Sequence, residues 1–366
     1  MKRIPLPALI FGFAAALPPV AASSSMSGKL TLQHSTDGEV WTDVKISAEM
    51  IDENGGLALS DLSNPSFFRL DVTDFAPESG PEDFSLIPAG TFSMGDHKDE
   101  PEEWMAPSRP VHEVYVSAFY MATTPVTYEE WALVRDWGIA HGYQFDKEGE
   151  RGYSGETWTG LPDTPENNRH PVTQVSWYDM VKWCNAKSEM DGLEPVYYMN
   201  DARTEVYRRT RHIVKNTEVD WDANGYRLPT EAEWEKAARG GLVGKRWPWG
   251  DADIDPTRAN FWNSSETNGT TPVGTYPPNG YGLYDMAGNV WEWLWDAWSE
   301  NWYSQPAASE PDTRGPCASE VGKYRVYRGG RWAQAPVHLR VATRDVHEPS
   351  PRHAPFGFRI ARNAIP

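Results

Sequence analysis

Cysteine is nearly absent: the 366 residues contain two, Cys184 and Cys317, far apart and in no metal-ligand spacing. One disulfide is the most they could form, which excludes a disulfide scaffold. Basic residues are scarce too, 34 Lys and Arg against 52 Asp and Glu for a net charge of −18. With no cationic surplus to neutralise phosphates, a nucleic-acid partner is not expected; the acidic excess suits solubility or cation binding. Past residue 22 no uninterrupted apolar run approaches the roughly 18 residues of a membrane span, so a membrane-spanning protein is not expected. The chain also lacks a Gly-x-Ser-x-Gly elbow, a His-Glu-x-x-His pair and a phosphate-cradling glycine loop.

Turn formers and tryptophan are plentiful: 30 Gly, 30 Pro and 18 Trp in a chain that is 39% hydrophobic. That composition predicts a loop-rich α+β protein with many short elements and structured turns. At the start, Lys2 and Arg3 precede an apolar stretch from Ala8 to Leu17, and Val20-Ala21-Ala22 places small residues at a cleavage site. Residues 1–22 therefore read as a secretory signal, and the mature protein is expected to be secreted or to reside in the periplasm or cell envelope. Cys184 falls in an apolar helical pattern with Trp177, Met180 and Val181, as a small buried hydrophobe would, whereas Cys317 lies in a Gly/Pro loop.

Residues 29–75 read as a small β module, with alternation at Leu30 to Gln33 and Val40 to Ile46, a turn signal at Asp37-Gly38, and a last strand from Phe67 to Val72. Residues 76–83 concentrate Pro, Gly and acid and read as a linker, so the main domain is expected over 84–362. Within it, Thr127 caps a predicted helix to about Trp137, with Glu130 at the capping-box position. Ser176 opens a second, with Asp179 in its first turn, and Thr230 a third to Arg239, with Glu233 three residues on.

Seven stretches occur in order: Ile87 to Gly95 (IPAGTFSMG), Arg109 to Val114 (RPVHEV), Pro171 to Trp177 (PVTQVSW), Tyr226 to Glu235 (YRLPTEAEWE), Tyr281 to Trp293 (YGLYDMAGNVWEW), Arg328 to Gly330 (RGG) and Phe356 to Arg359 (FGFR). Together they resemble the formylglycine-generating enzyme, or sulfatase-modifying factor, domain. The resemblance implies a C-type-lectin-like α+β fold with little regular structure. One fold hosts many functions, so it constrains activity less than architecture.

The segment from Asp285 to Glu292 is the candidate metal site. Two carboxylates with Gly288 between them, freeing the backbone to turn a carbonyl inward, suit calcium, which takes six to eight oxygens; a buried acid pair bonded to amides is the other reading. By resemblance, a structural calcium would use Asp285, Gly288, Val290 and Glu292, with Asp285 at a position where relatives can carry Asn. A second calcium site would begin at Asn260 and Phe261, but the loop that completes it is shorter here.

The catalytic positions depart from the family pattern. In the active enzymes two cysteines, five positions apart after the Arg-Gly-Gly motif, hold copper as thiolates; here the matching residues are Gln334 and Leu339. The serine that follows the glycines is Arg331 and the active-site tryptophan is Trp291. Copper is therefore not expected. Iron or zinc would need His338, His347 and His353 to converge on one ion. The candidate pocket comprises Trp291, Arg331, His338, Arg340 and Arg344; the tail arginines, Arg359 included, could equally pair with buried carboxylates.

These readings lead first to an exported, calcium-stabilised module that binds a polypeptide or small acidic ligand. The alternatives are a divergent oxidoreductase resembling the nonheme-iron and pyoverdine-maturation proteins, a genuine formylglycine generator, and a structural role in a larger assembly with the β module as docking piece.

Overall fold

A computed structural model describes residues 29–35, 42–44, 67–73, 81–264, 268–316, 318–350 and 356–364. The expected signal at 1–22, the Asp37-Gly38 turn, Cys317 and His353 lie outside these residues. The chain divides into two units, residues 1–79 with residue 366, and residues 80–365. In the first, β1 (Lys29–Ser35) pairs antiparallel with β2 (Thr42–Val44) and with β3 (Phe67–Thr73), giving a three-stranded sheet in the order β2-β1-β3.

The second unit is a mixed α+β assembly of short elements, the architecture read from its Gly, Pro and Trp content. One four-stranded sheet joins β4 (Phe84–Ile87) and β7 (Phe119–Ala122) to β10 (Tyr226–Arg227) and β15 (Ala361–Asn363), in the order β10-β15-β7-β4, so the first and last strands of the unit share one sheet. A second comprises β11 (Trp291–Ala297), β12 (Arg325–Arg328), β13 (Asp345–His347) and β14 (Phe356–Gly357); β11 runs antiparallel to β12 and parallel to β14. Two antiparallel pairs complete the strands, β5 (Gly90–Met94) with β6 (His112–Val116) and β8 (Glu150–Arg151) with β9 (Val172–Thr173). Every residue of β11 (WEWLWDA) is buried, its carboxylates Glu292 and Asp296 included, so the strand carries buried acidic groups among its tryptophans.

Three helices start where their capping residues place them. Helix α1 (Tyr128–Ala140) begins at Thr127, whose hydroxyl accepts a hydrogen bond from the Glu130 amide at 3.2 Å. The Glu130 carboxylate turns instead toward Lys187, 3.7 Å away. Helix α2 (Trp177–Met190) is capped by Ser176 in the same manner. Helix α3 (Glu231–Arg239) has the full reciprocal box between Thr230 and Glu233 and ends at Gly240, whose φ of 57° an L side chain would resist.

The tryptophans fill the core. Trp131, Trp183 and Phe358 meet between α1 and α2, and Trp177, Trp295 and Tyr197 meet against β11. Cys184 lies fully buried in this cluster, and burial pushes its thiol well above the usual range. A second cluster wraps Trp234, Met286, Leu294 and Val326. These layers hold α3 beside the loops that carry the candidate site.

Candidate functional site

Four of the arginines that follow β11 are structural. Arg344 donates to Glu231 through Nε at 2.6 Å and Nη2 at 2.8 Å, and Arg359 grips Glu292 through the same pair of nitrogens at 2.7 Å. Arg328 bonds Glu235 and the carbonyls of Ala342 and Thr343. Arg340 reaches Glu102 at 2.9 Å and Glu100 at 3.2 Å. Each is a charge-assisted bond, with every carboxylate but the partly exposed Glu102 buried, and the pairs of Arg328, Arg344 and Arg359 tie the end of the chain to α3 and β11. Although burial opposes it, Arg239 and Arg328 hold the Glu235 carboxyl down to about 2.

Arg331 differs. It is half-buried, its Nε is shielded without an acceptor, and among the described residues no carboxylate or carbonyl meets its terminal nitrogens. Burial disfavours its charge, and the neighbouring groups are the phenols Tyr327 and Tyr153. It stands just past Gly329 and Gly330, whose φ values are 94° and 78°. A Cβ on Gly330 would lie 2.7 Å from Leu339, so glycine is required where the chain turns into this loop. Leu339 itself is fully buried with Trp247, Ala259 and Ala287. Gln334 is half-buried, and its carbonyl accepts from the Trp262 amide at 3.0 Å. Leu339 has no donor atom, Gln334 offers only a neutral amide, and Arg331 adds a fixed positive charge. These residues do not fit a thiolate-held copper ion.

The expected pocket is thus divided. Trp291 is buried and packs edge-on against Tyr327 with centroids 4.8 Å apart. His338 stacks on the partly exposed Trp104 at 4.7 Å, and burial lowers its pKa. Arg344 does not join Arg331, because Glu231 and the Tyr303 ring hold it within the unit. His347 is exposed and faces the Glu348 carbonyl. Among the described residues no three His, Cys, Asp or Glu side chains converge to hold a metal.

The two stretches expected to bind calcium do come together. Gly288 bridges to Asn260, and the Asn289 amide donates to the Asn260 carbonyl at 2.9 Å. A Cβ at Gly288 would sit 2.1 Å from that carbonyl oxygen. Asp285 Oδ2 accepts from the Gly274 amide at 2.8 Å, while Oδ1 is buried with no partner among the described residues. Burial raises the Asp285 pKa to about 6. Its carboxylate borders a cavity of about 230 Å³ walled by Trp249, Pro277 and Pro278. An orphaned buried oxygen beside a cavity is a donor that fits a hard cation. Glu292 fits less well, because Arg359 takes both its oxygens and Trp234 Nε1 also donates to it at 2.7 Å. Val290 is buried beside Gly357. The Asn260 amide turns to the Gly269 carbonyl and the Phe261 amide to Ser264, so both are engaged in local turns.

An aromatic group that the motifs did not mark lies next to Arg331. Tyr153, Trp158 and Trp332 stand with their centroids 6.2 to 6.4 Å apart. Tyr153 and Trp332 are buried, whereas Trp158 is 60% exposed. The one sequence signal was a tryptophan between two threonines in a Gly-flanked loop, Gly155 to Gly160.

Residues 72–364 match the Sulfatase-modifying factor enzyme 1-like domain. The formylglycine-generating enzyme of Thermomonospora curvata is 33% identical over 324 residues, covering 81% of this chain and 99% of that protein. The serine/threonine-protein kinase pkn1 of Chlamydia pneumoniae is 34% identical over 76% of this chain, but the match spans only 37% of that protein's length. Among solved structures, Treponema denticola variable protein 1 superposes with a TM-score of 0.59 at 30% identity, covering 76% of this chain and 94% of that one. With the family match extending over most of its length and a full-length relative at one-third identity, the chain belongs to the sulfatase-modifying factor domain family.

Proposed function

We propose that this is an exported recognition domain that binds a carboxylate-bearing ligand, a small acid or an acidic polypeptide segment, at Arg331, and that it does not carry out copper-dependent formylglycine formation. The observation that carries the reading is the isolation of one cation. Arg328, Arg340, Arg344 and Arg359 each hold a carboxylate, and among the described residues Arg331 holds none. Shielding an unpaired guanidinium from water is unfavourable, and an incoming carboxylate would relieve it with paired N–H···O bonds. A guanidinium also disfavours a metal cation in the same pocket, and Gln334 and Leu339 supply no thiolate to offset that repulsion.

Calcium at Asp285 belongs to the same reading, as a structural ion. Asp285 would supply the charged ligand and main-chain oxygens around Gly288 the remainder, with Glu292 kept by Arg359. Export rests on the Lys2, Arg3 and Ala8 to Leu17 pattern with its small-residue cleavage site. Among the described residues no helix is long and apolar enough to cross a membrane.

Calorimetric titration of the mature protein with succinate tests the proposal. Saturable binding that weakens about tenfold or more in Arg331→Gln is expected, the scale of a lost charge-assisted pair. Equal binding by the two proteins, or none by either, would overturn it.

A further inference from the structure

We propose that Trp158 is a stacking platform and that, with Arg331, it selects a ring-shaped carboxylate of the uronic-acid class, the acidic unit of a saccharide. This rests on the Arg331 reading above and names the ligand class for the same face.

The loop from Ser154 to Gly160 is built to present one ring. Trp158 sits at a φ of 57°, a conformation that bulky L residues rarely adopt. It is held there from several sides. Its amide donates to the Ser154 carbonyl at 2.9 Å, and the Tyr153 hydroxyl donates to the Trp158 carbonyl at 2.7 Å. The Ser154 amide donates to the Thr159 carbonyl at 2.8 Å, and the Gly155 amide to the Asn268 carbonyl at 2.7 Å. Gly155 lies so close that a Cβ would fall 2.1 Å from that Asn268 oxygen and 2.5 Å from the Trp332 ring. The loop is therefore pressed onto Trp332, yet the Trp158 indole is left mostly in water. Strain that surrounding bonds maintain, spent on exposing a large apolar ring, is a signature of a binding surface.

The chemistry around the ring narrows its occupant. Arg331 immediately precedes Trp332, whose ring centroid lies 6.2 Å from that of Trp158, so a cationic side chain such as arginine or lysine would be repelled and an anion drawn in. The rim carries hydroxyls: Thr157 Oγ1 and Thr159 Oγ1 lie 2.9 Å apart and are exposed, with Ser154 Oγ alongside. A benzoate-like ligand would leave those groups idle. A pyranose presents axial C–H groups to an indole face, equatorial hydroxyls to a polar rim and, when oxidised at C6, a carboxylate to a guanidinium. It uses all three features.

Calorimetry on the mature chain with D-glucuronate, D-glucose, benzoate and succinate separates the terms. Glucuronate is expected to bind at least about tenfold tighter than succinate and tighter than benzoate or glucose. Trp158→Ala, at an exposed ring, should bring glucuronate down to the succinate level while leaving succinate unchanged. Glucuronate binding no tighter than succinate, benzoate exceeding glucuronate, or an unaltered glucuronate affinity in Trp158→Ala would overturn the inference. In each of those cases, succinate binding that still depends on Arg331 would leave the broader reading standing.

Discussion

Arg359 closes on Glu292 with two hydrogen bonds of 2.7 Å from Nε and Nη2, across 67 positions of sequence. Asp285, on the loop that leads into the same strand, keeps one oxygen without a partner among the described residues. The two carboxylates that looked alike in sequence are therefore in opposite states, one satisfied by the fold and one open to a ligand.

Removing the Arg359 side chain leaves Glu292 as a buried charge with the Trp234 indole as its one remaining side-chain donor among the described residues. Arg359→Met should cost about 3–5 kcal/mol of stability, read as a fall in the denaturation midpoint. The double variant with Glu292→Gln should recover part of that loss.

Asp285 sets a pH dependence whose sign is fixed by its raised pKa. In the folded state it titrates near 6, against an ordinary value of 3.8, so between these values the folded chain holds a proton that the unfolded chain has lost. Stability from this group is full below about pH 4 and declines as pH rises through 6, by about 3 kcal/mol at most. Asp296, pushed up by burial and by Glu231, acts in the same direction, so the comparison must be with Asp285→Asn. In chelator, the wild type should lose more thermal stability between pH 4.5 and 7 than the variant, and added calcium should restore the wild type alone.

Chelation at neutral pH should itself lower the melting temperature of the calcium-loaded wild type by the binding free energy of the ion. An unchanged melting temperature would remove calcium from Asp285.

Thr230→Ala should destabilise by about 1 kcal/mol or somewhat more, because it removes the acceptor for the Glu233 amide at a buried helix start. Gly288→Ala should be far more damaging. Its Cβ would fall 2.1 Å from a backbone oxygen at a φ of 88°, and soluble yield and thermal melting would report it.

What the sequence made legible was local. Thr127, Ser176 and Thr230 declared their helices because a cap and the amide it satisfies lie within one turn. The glycine pair after Arg328 offered either a positive φ or a close backbone approach, and Gly330 shows both, with a φ of 78° and Leu339 2.7 Å from where a Cβ would lie. The family motifs carried the architecture, each being a short run whose residues act together. The division of the tail arginines was not legible, since Glu231 and Arg344 are 113 positions apart and nothing near either one names the other. A separation of 67 positions likewise hid the pairing of Glu292 with Arg359. Trp158 escaped notice for another reason: one tryptophan among 18 has no periodicity, and its exposure follows from a loop held down by Tyr153, Trp332 and Asn268.

Recognition of an acid without cysteine oxidation can be checked by supplying the protein with copper(I), oxygen, a thiol reductant and a peptide carrying a Cys-x-Pro-x-Arg sequence, and reading the peptide by mass spectrometry. The cysteine is expected back unchanged; its conversion to formylglycine would overturn the proposed loss of oxidase chemistry.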